Sequence, residues 1–177
     1  MRFASALIPV VALAACASTS PSVVAPVVPA LTASLQPPAG QVLVTQALAS
    51  GVQIYDCAAK ADGSGPAWIF RAPEATLVSR TGKPLGTHYA GPTWEALDGS
   101  KVVGQVKAST PSPAPATAIP WLLLSAKSNS GAGVFADVRS ILRISTEDGV
   151  VPDSPCTADI LGASLQVFYK ATYLFYR

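Results

Sequence analysis

Histidine occurs once in this 177-residue chain, methionine once and cysteine three times. A lone histidine excludes the clustered His/Cys spacing of zinc sites, and no C-x-x-C motif supports a metal or thioredoxin-type centre. Charged residues are only 12% of the chain, twelve basic against ten acidic, and the basic ones are scattered. That leaves no electrostatic footprint for nucleic acid. Serine hydrolysis lacks its G-x-S-x-G elbow, so Gly63-Ser64-Gly65 reads as a flexible turn. Asp62 to Gly65 lacks the regular oxygen ligands of a calcium loop, and Gly131-Ala132-Gly133 lacks the βαβ context of a phosphate cradle. No metal and no cofactor is expected.

What is present begins at the N-terminus. Arg2 supplies a positive n-region, Phe3 to Ala12 an apolar h-region, and Leu13-Ala14-Ala15-Cys16 matches a lipobox. The apolar run is too short for a membrane span and soon breaks into Ser, Thr and Pro. The expectation is that residues 1–15 are a signal peptide and that Cys16 is the acylated first residue of the mature chain, tethering it to a lipid bilayer. Ala17 occupies the position where an Asp would resemble an inner-membrane retention signal, which points to the outer membrane. Residues 16–40 carry no charge and no aromatic ring and read as a Pro/Ala/Ser-rich tether, with one folded domain over 41–177. Cys57 and Cys156 remain. In an exported domain they most simply form one disulfide, two free thiols being the alternative.

From Gln41 onward the apolar residues recur with a period of two and are punctuated by Gly, Pro and Asp. Gln41 to Leu48, Gly51 to Cys57, Ala67 to Ala72 and Ala75 to Ser79 read as strands. Thr87 to Ala90 and Thr93 to Leu97 flank Gly91-Pro92, and Asp98-Gly99 turns the chain into Lys101 to Ala108. Trp121 to Ser125 is apolar enough to be buried on both faces. Val134 to Thr146 fits a helical stripe and a strand, with β-branched content favouring the strand. Leu165, Val167, Tyr169, Ala171, Tyr173 and Phe175 form one face of a long last strand or hairpin. The expected fold is all-β: an antiparallel sandwich or barrel of eight to nine strands with low helix content.

Several of these segments carry a resemblance. Gly51-Val-Gln-Ile-Tyr-Asp-Cys57, Trp68-Ile-Phe70, Ala72-Pro-Glu-Ala75, Gly86 to Glu95, Asp98-Gly-Ser-Lys101 and Ile119-Pro-Trp-Leu-Leu124 follow one another in the order seen in domain-of-unknown-function family 3455. The chain resembles that family from about Pro38 to Tyr176. The resemblance implies an exported β domain and carries over no catalytic residue.

The candidate chemistry centres on His88 within Gly86 to Glu95. His88, Tyr89, Trp94 and Glu95 form the candidate ligand-binding patch, with Trp94 as a ring for stacking a carbohydrate or another small molecule. The competing assignment ties His88 into a turn and puts Trp94 in the core. The function expected is a non-catalytic ligand-binding or envelope-associated domain. The alternative is an exported hydrolase using His88 with Glu95 or Asp98.

Overall fold

A computed structural model describes Met1 and residues 29–177. The expected signal peptide beyond Met1, Cys16 and the expected tether as far as residue 28 lie outside the described residues. Eight strands follow in chain order: β1 (Leu43–Ala59), β2 (Pro66–Ser79), β3 (Pro84–Tyr89), β4 (Thr93–Ala96), β5 (Lys101–Thr110), β6 (Trp121–Ser130), β7 (Ser140–Asp148) and β8 (Ser164–Tyr176). Each pairs antiparallel with the next, and β8 returns to β1 over Leu43–Asp56, closing a barrel. The expected all-β fold is therefore an eight-stranded barrel, and closure leaves no edge along the β1–β8 seam.

Alternation decides what lies inside. Small side chains at Ala47, Ala49, Ala75, Ala96 and Ala171 face large ones at Trp94, Tyr169, Tyr173 and Phe175. Mixing small with large is how a narrow barrel fills its interior. At Gly51 a Cβ would come within 2.0 Å of the Glu74 carbonyl oxygen, so only glycine lets β1 and β2 approach this closely.

The sequence boundaries shift in four places. Gln41–Leu48 and Gly51–Cys57 are one strand, β1, running straight through Ala49 and Ser50. Ala67–Ala72 and Ala75–Ser79 are one strand, β2, running through Pro73. Pairing with β3 begins only at Ala75, so Pro73 lies where β2 has lost that neighbour and a missing N–H is tolerated. Val134–Thr146 divides: β7 takes over at Ser140, and residues 131–139 form an irregular loop. Side-chain hydrogen bonds hold that loop, with Asn129 Nδ2 donating to the Phe135 and Val138 carbonyls and Asp98 Oδ2 accepting from the Val134 amide. Phe135 thereby plugs one end of the barrel, 4.5 Å from the Phe175 ring. Finally, β6 is buried on both faces as expected. Leu122 and Leu124 point inward, while Trp121 and Leu123 are covered outside by Leu31 and Leu35. Leu35, on the 3-10 turn Ala33–Leu35, is fully buried, so part of the stretch read as tether docks on the barrel wall. Burying one leucine contributes about 1.5–3 kcal/mol.

The other end is open. β3 and β4 have only six and four residues, so β2 above Ala75 and β5 beyond Val103 have no strand between them. The turn Ala90–Pro92 crosses this notch, tied by the Gly104 amide donating to the Pro92 carbonyl at 2.8 Å. At the rim the Cys57–Cys156 disulfide, with a Cα–Cα distance of 5.4 Å, fastens the long β7–β8 connection to the end of β1.

Candidate functional site

The β3–β4 hairpin pairs His88 with Trp94, Thr87 with Glu95 and Tyr89 with Thr93. Neighbouring residues on a strand face opposite sides. His88 and Trp94 accordingly point into the barrel, 2% and 1% exposed, while Tyr89 and Glu95 lie on its outer face. The four do not form one patch. Trp94 is shut off from solvent, with the His88 imidazole stacked on it at 4.4 Å and 9° and Tyr173 packed against it in a T-shaped contact. Gly104 makes room for that indole, since a Cβ there would lie 2.9 Å from its Cζ3.

His88 Nδ1 lies 2.8 Å from the Thr93 carbonyl oxygen. A carbonyl can only accept, so Nδ1 carries the proton and Nε2 is the bare acceptor. Burial pushes the imidazole pKa down to about 3; the Thr93 carbonyl opposes this and the Arg143 charge adds to it. The ring is neutral at physiological pH.

Outside, Tyr89 donates to Glu95 Oε2 at 2.6 Å and Lys101 pairs with the same oxygen at 3.1 Å. These bonds hold the Glu95 carboxyl below its usual range. Asp98, near the plugged end, accepts from the Ser100 amide and hydroxyl and from the Val134 amide, which likewise depress it. His88 therefore has neither carboxylate as a partner, and the pairing required for the hydrolase alternative is not assembled. The three groups occupy the inside, the outside and the far end of the barrel.

Behind the notch lies a cavity of about 440 Å³. Its walls are mostly apolar and include Phe70 from β2, Val106 from β5, Leu122 and Leu124 from β6, and Trp94. Phe70 and Val106 stand half exposed at the mouth. Gln53, Tyr173 and Arg143 bring polar groups to the same space. Among the described residues, Gln53 Nε2, Trp94 Nε1 and the Tyr173 hydroxyl find no hydrogen-bond partner. Tyr169 and Arg143 lie close enough to Tyr173 to influence its phenol electrostatically, yet neither reaches hydrogen-bond geometry with it. Burial raises the pKa of both phenols, so both hydroxyls keep their protons.

Sequence reasoning missed Gln53 and Arg143. Arg143 shares the inward face of β7 with Ile141, while Leu142 and Ile144 lie on the opposite face, covered from outside. The usable signal was that β7 has apolar residues on both faces, which makes a polar residue on either one notable.

The fold and its site thus define a closed antiparallel barrel with an internal cavity opening at one end. The chain belongs to the protein of unknown function family DUF3455, whose model matches residues 38–177. No curated protein and no solved structure matches it.

Proposed function

We propose that this is a non-catalytic, membrane-anchored binding protein that holds a small, mainly apolar molecule inside the barrel. The observation that carries the reading is the cavity itself: about 440 Å³, apolar walls and three unpaired buried polar groups. Ligand pockets have this size and this mixture of apolar walls with a few polar groups. A buried polar group left unpaired costs about 1–3 kcal/mol, which a bound molecule would offset. His88 and Trp94 serve as cavity wall in this reading, whereas Tyr89 and Glu95 serve the outer face.

Export and anchoring through Cys16 to the outer membrane belong to the same proposal. A disulfide suits an oxidising compartment, and among the described residues no helix is long and apolar enough to cross a membrane. Thr32 lies beside Thr110, the mouth-end residue of β5. The expected mature N-terminal peptide starts at Cys16 and carries acyl chains by mass spectrometry. An unprocessed N-terminus would remove the anchor.

Binding is tested with the neutral fluorophore N-phenyl-1-naphthylamine. Wild type should bind it saturably at one site. Val106→Trp, which fills the mouth from a half-exposed position, should weaken binding about tenfold or more with little change in unfolding midpoint. Equal binding by both proteins would place the fluorophore elsewhere and count against the cavity.

A further inference from the structure

Building on the binding reading, we propose that the cavity selects an amphipathic monocarboxylate, with Arg143 as the anchor for its anionic head and the barrel interior as the seat of its apolar body. Arg143 is an inward position of β7, paired with Leu122 of β6 on one side and Tyr173 of β8 on the other. Its Nε and Nη2 donate to the Pro120 carbonyl at 3.0 and 2.8 Å. Those two bonds use part of a five-donor fork and hold the guanidinium plane at the cavity wall, leaving N–H groups to spare.

The charge balance around it is one-sided. No aspartate or glutamate lines the cavity among the described residues. Arg71, the other cation there, is paired with Asp56 at 3.5 Å, whereas Arg143 has no carboxylate partner among the described residues. His88 is neutral and adds no charge of its own. The unpaired groups also lean one way. Among the unpaired buried atoms, Gln53 Nε2 and Trp94 Nε1 can only donate and the Tyr173 hydroxyl can donate. A cavity rich in donors beside one unneutralised guanidinium fits an oxyanion better than a cation, which would lack a counter-charge. It also fits better than a sugar, whose many hydroxyls need acceptors as well as donors. One such cation against apolar walls matches a single negative charge on an apolar body.

The test uses a matched pair, decanoate and decanamide, displacing N-phenyl-1-naphthylamine at pH 7.5, where a carboxylic acid is ionised. Wild type should prefer decanoate by about tenfold or more. Arg143→Gln should bring the two to near equality while still binding the neutral fluorophore. Because Arg143 also holds the Pro120 carbonyl, Arg143→Lys provides a second arm that keeps the charge and should keep most of the preference. Equal affinity of wild type for both compounds would overturn the carboxylate assignment and leave the binding reading standing. A decanoate preference that survives in Arg143→Gln would overturn the role of Arg143. If neither compound nor the fluorophore binds wild type, the binding reading fails and this inference fails with it.

Discussion

Between pH 7.5 and pH 5 the domain should lose about 2 kcal/mol of stability, nearly all of it through His88. The imidazole titrates near 6.5 when free and near 3 in the folded barrel, because its interior site gives the charged ring no solvation. At pH values between those two figures the unfolded chain binds a proton that the folded chain refuses. Acid therefore favours unfolding. The loss starts as pH falls through 6.5, approaches about 1.4 kcal/mol per unit and levels off only near pH 3. The depressed carboxyls, Asp62, Glu95 and Asp98, act in the same direction but titrate at lower pH and leave this window to the imidazole. It is the only histidine in the chain, so no other imidazole can imitate the effect. Urea unfolding at pH 7.5, 6.5, 5.5 and 5 should give a falling midpoint for wild type. His88→Gln should be less stable overall, having lost its stack on Trp94, and nearly flat with pH. A flat wild-type profile, or an unchanged slope in the variant, would show that the ring is not held neutral. An imidazole NMR resonance that titrates near 6.5 in the folded protein would say the same.

Much of this arrangement was legible in local pattern. The last strand was readable because Tyr169, Ala171, Tyr173 and Phe175 recur at every second position, with Lys170 and Thr172 between the first three, and that face lines the interior. The β3–β4 and β4–β5 turns were readable because Gly91-Pro92 and Asp98-Gly99 punctuate the chain where the strands end. Closure was not readable. Whether β1 meets β8 depends on pairing residues more than a hundred positions apart, and no local period encodes it. Grouping His88, Tyr89, Trp94 and Glu95 together was at odds with the same alternation that identified the strands. Adjacent residues on a strand cannot share a face, so His88 parts from Tyr89, and Trp94 from Glu95. Arg143 was hidden for a different reason. Leu31 and Leu35 cover the outside of the wall around Leu142 and Ile144, giving β7 a second apolar face that resembles the core face. Only the docked N-terminal stretch explains that apolar exterior, and this leaves the inward side free to carry a charge.

Replacing both Cys57 and Cys156 with alanine should lower unfolding stability by about 3 kcal/mol while leaving the barrel and its cavity in place. The two residues are 99 positions apart, and a cross-link over so long a loop removes much of the unfolded chain's freedom. The chain-entropy model allows about 4.7 kcal/mol for a loop of roughly a hundred residues, and measured bridges usually deliver about 2–4. The folded rim does not depend on the bridge alone. The Cys57 amide donates to the Ala163 carbonyl at 2.8 Å and the Gly162 amide to the Cys57 carbonyl at 2.9 Å. Trp68 Nε1 holds the Ser154 carbonyl, and the Tyr55 hydroxyl holds that of Gly149. The cost therefore falls mainly on the unfolded ensemble, and fluorophore affinity should change by no more than about twofold. With a urea dependence of about 1–3 kcal/mol per molar, the midpoint should drop by about 1 M or more. Reducing the wild-type protein should reproduce that drop. An unchanged midpoint in the double variant, with both thiols free in wild type, would mean that the chain matures where cysteines stay reduced. The case for an exported domain would then lose its structural support, because the bridge is the feature of the folded protein that ties it to an oxidising compartment.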